Sequence, residues 1–259
     1  MKKVLITGAG SYIGTCFARH LSQWKDDYQV DSVDMIGPGW RNESFAGYDA
    51  VFHVVGIAHI KETPENAHLY YEINRDLAIE VAQKAKAEGV GQFVFLSSMS
   101  VYGMEEGAIS LDTVPNPTSN YGKSKLQAER GMAPLAGDDF AIAVLRPPMV
   151  YGEGCKGNYQ SLVKFAKKMP FFPDYPNKRS MIHIDKLCAF VKDCIDENRS
   201  GLFLPQDDEY VCTCKMVRSI ARDMGRNLPL LKILNPAVSI VKSCTTMGKK
   251  AFGDLYYEK

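Results

Sequence analysis

Lys3-Val4-Leu5-Ile6-Thr7-Gly8-Ala9-Gly10-Ser11-Tyr12-Ile13-Gly14 is a short apolar run that breaks into a glycine-rich turn. Residues 3–7 read as a strand. Residues 11–25 then place Ile13, Phe17 and Leu21 at i, i+4 and i+8, the stripe of an amphipathic helix. Glycines between a strand and a helix let the backbone turn tightly and approach a pyrophosphate, whose charge sits at the positive end of the helix. Gly8, Gly10 and Gly14, with Ser11, Tyr12 and Ile13 between them, are therefore candidate dinucleotide-binding residues. Asp34 ends a second strand, 20 residues beyond Gly14, where a carboxylate can accept both hydroxyls of an adenine ribose. A 2′-phosphate would be repelled there, so Asp34 favours NAD over NADP.

Outward from this motif, strands and helices alternate. Residues 29–34 and 50–55 read as the second and third strands. Pro64 opens a long helix to residue 87, with Tyr70, Ile73, Leu77 and Val81 on one side and Gly89 as its stop. Residues 92–97 form a fourth strand, 119–135 a helix, and 139–145 a fifth strand halted by Pro147-Pro148. Five strands with helical crossovers predict an α/β fold, a Rossmann-type doubly wound parallel sheet covered on both faces. After Pro148 the pattern loosens: residues 158–169 look helical, 180–184 strand-like, 185–198 helical, 201–204 extended, and two more helices follow Cys212. The expected division is a nucleotide-binding domain at residues 1–148, with 184–204 returning to it. Residues 149–183 and 205–259 are then a small C-terminal substrate-binding lobe. Such sheets bind ligands at the carboxyl ends of their strands, the edge this lobe would cover.

Composition removes several alternatives. The chain has 259 residues, 46% hydrophobic and 24% charged, ordinary for a globular protein. Lys plus Arg number 31 against 30 Asp plus Glu, so no basic excess points to nucleic acid. Lys2 and Lys3 precede only a three-residue apolar run, too short for an export signal, and no window approaches the roughly 18 apolar residues of a membrane helix. A cytoplasmic protein without membrane insertion is the expectation. The seven cysteines contain no C-x-x-C pair, so reduced thiols are expected rather than a zinc ribbon or disulfide framework. His53, His59 and His68 lack metal-ligand spacing, and no metal is expected; His53, inside an apolar strand, reads as a hydrogen-bonded core residue. From Cys212 onward nine Lys/Arg face three acids. That excess reads first as a solvated helix face, with a diphosphate or an anionic membrane surface as alternatives.

A second motif, Tyr121-Gly122-Lys123-Ser124-Lys125, puts Tyr121 and Lys125 at i and i+4 on one helix face. A phenol titrates near 10, so making it a base near pH 7 takes roughly 4 kcal/mol of phenolate stabilisation. Lys125 and a nicotinamide cation are the obvious suppliers.

The glycine turn, the acid ending the second strand and this pair, in this order, resemble an extended short-chain dehydrogenase/reductase of the NAD-dependent epimerase/dehydratase family, whose members act on nucleotide sugars. The resemblance implies Tyr121 as base and Lys125 as its activator. Leu96-Ser97-Ser98-Met99-Ser100-Val101-Tyr102-Gly103 resembles the segment after the family's fourth strand, which puts the catalytic hydroxyl on Ser98, with Ser100 as a stand-in. Asn74 matches the Asn of the long helix. Arg146-Pro147-Pro148-Met149-Val150-Tyr151-Gly152 resembles the stretch beside the nicotinamide, and Arg179 the arginine that grips the substrate's diphosphate. Val54, Val55, Gly56, Asn74, Ser97 and Pro148 are thereby assigned to the cofactor, and Ser98, Ser100, Tyr121, Met149, Asn158 and Arg179 to a nucleoside-diphospho-sugar. A homodimer through the helices at residues 64–87 and 119–135 is the assembly the resemblance implies.

The departures shape the expected activity. The family's middle glycine is Ser11, which predicts an altered turn that still binds the cofactor. Sugar dehydratases carry Asp-Glu where Met99 and Ser100 stand, so dehydration is disfavoured. Many epimerases carry Asn at the position of Met149. A 4-epimerase with NAD leads, a nucleotide-sugar 4-keto reductase follows, and a dinucleotide-sensing protein without turnover is the non-enzymatic alternative.

Overall fold

Val4, Leu5, Ile6 and Thr7 are all buried, which only an interior strand of a sheet covered on both faces can be. In the computed structural model, which describes residues 1–58, 60 and 62–259, this strand, β1 (Lys2–Thr7), pairs in parallel with β2 (Tyr28–Val33) and β3 (Ala50–His53). His59 lies outside the described residues. With β4 (Gln92–Leu96), β5 (Ala141–Leu145) and β6 (Gly201–Phe203) the order is β6-β5-β4-β3-β1-β2, every pair parallel. The protein is thus an α/β, doubly wound sheet protein. The short extended piece expected at residues 201–204 is the sixth strand, with Gly201 opposite Ala143 and Phe203 opposite Leu145. Strand order reverses between β1 and β3, the place where such sheets take ligands.

The chain divides into two compact units. The first comprises Met1–Gly103, Pro115–Pro148 and His183–Pro205. Its sheet is flanked by α1 (Tyr12–Leu21), α2 (Ala67–Tyr71), α3 (Leu77–Ala87) and α4 (Asn120–Met132). Over one face, Val51, Phe93, Phe95 and Ile142 pack with Ala78, Val81, Ala82 and Ala85 of α3 and Ala128 and Met132 of α4.

Local chemistry moves several boundaries. Residues 64–66 form a turn rather than the first turn of a helix. Asn66 accepts the Thr63 N–H on its side chain at 2.9 Å and returns its own N–H to the Thr63 carbonyl at 3.2 Å, so helix begins at Ala67. Between α2 and α3, Glu72–Asp76 is a π turn. Its extra residue shifts the phase of the buried face: Tyr70, Asn74, Ala78, Val81 and Ala82 are buried, while Ile73 and Leu77 of the expected stripe are only half-buried. The α-helix after the glycine turn also ends early, at Leu21, and Ser22–Trp24 is a 3-10 turn.

The second unit comprises Met104–Val114, Met149–Ile182 and Gln206–Lys259. Here α5 (Asn158–Lys168) packs on α7 (Thr213–Asp223) around Leu162, Ala166, Val217, Ile220 and Phe172; α6 (Ile184–Asp196) lies in the first unit. Short parallel pairs join Phe172–Pro173 to Leu230–Leu231 and Gly107–Ile109 to Leu255–Tyr257. Beyond α7 stand two helices where one was expected, α8 (Asn235–Cys244) and α9 (Thr246–Phe252). The break is Thr245, whose hydroxyl accepts the Gly248 N–H at 2.9 Å and caps α9.

Candidate active site

The glycine turn sits at the carboxyl end of β1, and each of its residues has a distinct reason. Gly8 has φ +112°, and a Cβ there would lie 2.9 Å from the Val55 side chain, so no other residue fits. Gly10 has φ +76° and nothing within 4 Å of where its Cβ would be, an open approach to the backbone. Ser11, in the place of the family's middle glycine, has extended φ/ψ (−67°, 146°) and caps α1, its hydroxyl accepting the Gly14 N–H at 3.2 Å. The substitution therefore exchanges a flexible residue for an N-cap. Gly14 must stay small, since a Cβ would fall 2.6 Å from that hydroxyl and 3.0 Å from Ile6. Tyr12 and Ile13, both half-buried, form the first turn of α1. Asp34, just past β2, is exposed, and its carboxylate accepts the Ile36 N–H at 3.0 Å. A helix N-terminus, an unobstructed glycine and a solvent-facing carboxylate fit a dinucleotide.

Behind that turn the structure brings together Val55, Gly56, Asn74 and Lys125. Lys125 is 3% exposed and donates to the carbonyls of Leu96 at 2.9 Å and Val55 at 3.5 Å, with its charge 4.7 Å from the centre of the Phe95 ring. Burial pushes its ammonium down to about 7, against the opposing charge of Glu129. The π turn carries Asn74 into this wall. Its side chain accepts the Ile57 N–H at 2.7 Å and donates to the Ile57 carbonyl at 3.0 Å and the Ser124 hydroxyl at 3.2 Å. Gly56 fills the gap: a Cβ would stand 3.0 Å from Asn74 Oδ1 and 3.2 Å from Lys125 Nζ. Val54 bonds back to the Thr7 carbonyl at 3.2 Å.

Tyr121 is half-buried in the first turn of α4, close enough to Ser98 for that side chain to act on its phenol. Burial raises its phenol above the ordinary value, and the Ser98 side chain works the other way. Ser98 itself caps the 3-10 turn Met99–Tyr102, accepting the Ser100 N–H at 3.1 Å and donating to the exposed Ser100 hydroxyl at 3.2 Å. Close packing fixes this approach: a Cβ on Gly122 would meet the Ser100 carbonyl at 2.5 Å.

One member of the constellation was not singled out from the sequence. Glu129, 8% exposed, follows Tyr121 and Lys125 at i+8 and i+4, one face of α4. It forms a two-pronged ion pair with Arg146, 6% exposed, at 2.5 and 3.1 Å, and accepts the Ser97 hydroxyl. Arg146 also donates to the Tyr102 hydroxyl at 2.8 Å. Burial alone would lower the Arg146 guanidinium, but the Glu129 carboxylate holds it above its usual value. The pair ties the helix of Tyr121 and Lys125 to the ends of β4 and β5, so it fixes where those side chains point. Pro148, buried, closes this stretch. His53 is buried at the end of β3, its Nδ1 2.8 Å from the Thr7 hydroxyl; burial, and then the charge of Lys125, hold it down at about 3, so it stays neutral.

The second unit carries the other expected residues, but does not gather them. Met149 is half-buried on the unit's apolar cluster, and Asn158 is exposed at the start of α5. Arg179 is half-buried, its backbone bridged to Val211 and Leu255 and its guanidinium donating to the Gly253 carbonyl at 3.0 Å. Burial lowers its guanidinium, opposed by Glu105, Asp254 and Glu106. No disulfide joins the cysteines, no helix is long and apolar enough to cross a membrane, and no three His, Cys, Asp or Glu cluster to hold a metal, all among the described residues.

The chain is similar to known proteins over most of its length. Against UDP-glucose 4-epimerase of Vibrio cholerae the chain is 32% identical over 249 residues, 85% of this chain and 75% of that protein. Against N-acetyl-alpha-D-glucosaminyl-diphospho-ditrans,octacis-undecaprenol 4-epimerase of Escherichia coli O157:H7 it is 24% identical over 275 aligned positions, covering 98% and 82%. The crystal structure of UDP-glucuronic acid 4-epimerase from Bacillus cereus in complex with NAD superposes with a TM-score of 0.75 at 18% identity, over 99% of this chain and 89% of that one. The model of the NAD dependent epimerase/dehydratase family matches residues 4–191. The chain belongs to that family.

Proposed function

We propose that the protein is an NAD-dependent epimerase that inverts C4 of a sugar carried on a diphosphate, a nucleoside-diphospho-sugar first of all. The observation that carries the reading is that Tyr121, whose phenol burial raises and the Ser98 side chain opposes, shares one face of α4 with the buried cation of Lys125. In the proposed assignment residues 8–14 hold the cofactor's pyrophosphate, Asp34 its adenine ribose and Lys125 its other ribose. Bound NAD supplies the acceptor, and then the donor, of the hydrogen and electron pair exchanged at C4.

Tyr121 removes the proton from the sugar's 4-hydroxyl while Ser98 holds the same oxygen. Because burial raises the phenol, Tyr121 needs a cation to work as a base, and Lys125 is the one on its own helix face. The ammonium of Lys125 is held by the Leu96 and Val55 carbonyls, and Gly56 leaves it room, since a Cβ there would stand 3.2 Å from its nitrogen. Once the 4-keto sugar has turned, Tyr121 returns the proton to the oxygen. Neither Met99 nor Ser100 can supply the acid and base that elimination of water needs. Arg179 and Asn158 are proposed for the diphosphate.

The test is a panel of UDP-, GDP- and dTDP-hexoses, extended to a sugar diphosphate on a polyprenol because one relative acts on that class. Epimers should interconvert with no net change in nicotinamide absorbance. Oxidation of reduced cofactor by a 4-keto-6-deoxy sugar, with no interconversion, would make the protein a reductase. Stabilisation by dinucleotide without any turnover would make it a sensor.

A further inference from the structure

The helix α8 wears its apolar stripe on the outside. Val238 is its only buried residue. Ala237, Ile240 and Cys244 follow the i, i+3, i+7 spacing of one helix face, and Ile233 stands in the 3-10 turn that leads into it; all four are exposed, Ile233 at 84% and Ile240 at 66%. Val241 adds 47% and Met247, opening α9, adds 79%. Met247 belongs to the same patch, because α9 packs hard on α8: a Cβ on its neighbour Gly248 would lie 2.4 Å from the Val241 carbonyl. An amphipathic helix normally turns such a face to the core, and a continuous exposed apolar patch marks a surface that meets something else.

The charge around it identifies what. Residues 212–259 carry nine basic and three acidic residues, whereas the rest of the chain carries 22 and 27. Between residues 224 and 253 stand five basic residues and no acid. Lys242 and Lys250 are matched by Glu106 at 2.9 Å and Glu105 at 3.4 Å. Lys232 and Lys249, next to Ile233 and two residues beyond Met247, have no partner among the described residues. A second copy of the chain would bring this segment against itself, lysine facing lysine. An anionic lipid surface satisfies both the apolar stripe and the unmatched lysines.

We propose that α8 and the turns flanking it dock the protein on an anionic bilayer. Ile233, Ile240, Val241 and Met247 enter the boundary between headgroups and acyl chains, and Lys232 and Lys249 lie on the phosphates. The inference stands apart from the proposed reaction, since docking needs no turnover. The experiment is flotation of the full chain with phosphatidylcholine vesicles, with and without phosphatidylglycerol. The wild type should float with the anionic vesicles alone. Ile240→Asp with Met247→Asp, and separately Lys232→Glu with Lys249→Glu, should each weaken that binding at least tenfold, since one basic residue near such a surface is worth about fivefold. A circular-dichroism spectrum and a urea-unfolding profile of the full chain that match the wild type show that the variants are folded. The proposal is overturned if the wild type does not float, if the variants bind as it does, or if sedimentation shows a dimer that the Ile240→Asp, Met247→Asp variant dissolves.

Discussion

Replacing Lys125 by methionine should change how stability depends on pH, and by a calculable amount. The ammonium is 3% exposed and burial brings it down to about 7 in the folded protein, whereas in an unfolded chain a lysine titrates near 10.4. A lysine lowered on folding makes the folded state costlier below its folded value, and the cost is relieved as pH rises toward the unfolded one. Between the two the unfolded chain holds one proton more than the folded chain, so stability climbs with pH, at most about 1.4 kcal/mol per unit. From pH 7 to pH 9 this amounts to about 2 kcal/mol. Lys125→Met keeps the length of the stem and removes the titrating group, so every other ionisation cancels in the comparison. Urea unfolding of both proteins at pH 7, 8 and 9 is the assay, and the wild type should gain about 2 kcal/mol on the variant across that range. A difference that stays constant with pH would show that Lys125 keeps its ordinary titration, and the account of its burial would be wrong.

Tyr121→Phe should lower turnover at least 100-fold while dinucleotide still binds, read by steady-state kinetics beside calorimetry; near-normal turnover removes Tyr121 as the base. Asp34 should make NAD bind at least tenfold tighter than NADP, about 1.4 kcal/mol, and equal affinities by titration calorimetry would remove it from the ribose. Glu129→Gln strips the partner from a buried guanidinium and should cost about 3–5 kcal/mol of stability. Adding Arg146→Met should recover most of that loss in the same urea melts, which a packing defect at residue 129 alone would not allow.

The parts of the fold that could be read from the sequence are those whose signal is local. A strand running into glycines and a capped helix, an acid at the end of the next strand, and a tyrosine and lysine four apart each depend on neighbours in the chain. Glu129 was present in the same reading frame, four residues past Lys125, yet a carboxylate on a helix looks solvated until a distant Arg146 closes on it. The turn at residues 64–66 was hidden because proline is as welcome in a turn as at a helix start. The basic excess after Cys212 marked a solvated face, but which apolar side chains share that face depends on packing, and only the structure shows Ile240 and Met247 facing out.

The π turn at Glu72–Asp76 bears on how this protein could be altered. An unbroken helix there would turn Ile73 further inward and Asn74 away, a slip of about one position, and the core would gain a branched hydrocarbon where it now houses an amide. Deleting one residue from the turn would restore that unbroken helix. It would also leave the Ile57 amide and carbonyl without the side chain that meets them both. The surplus residue is what sets an amide, rather than a hydrocarbon, on the inward side of the long helix, so its removal would take the wall beside Lys125 with it.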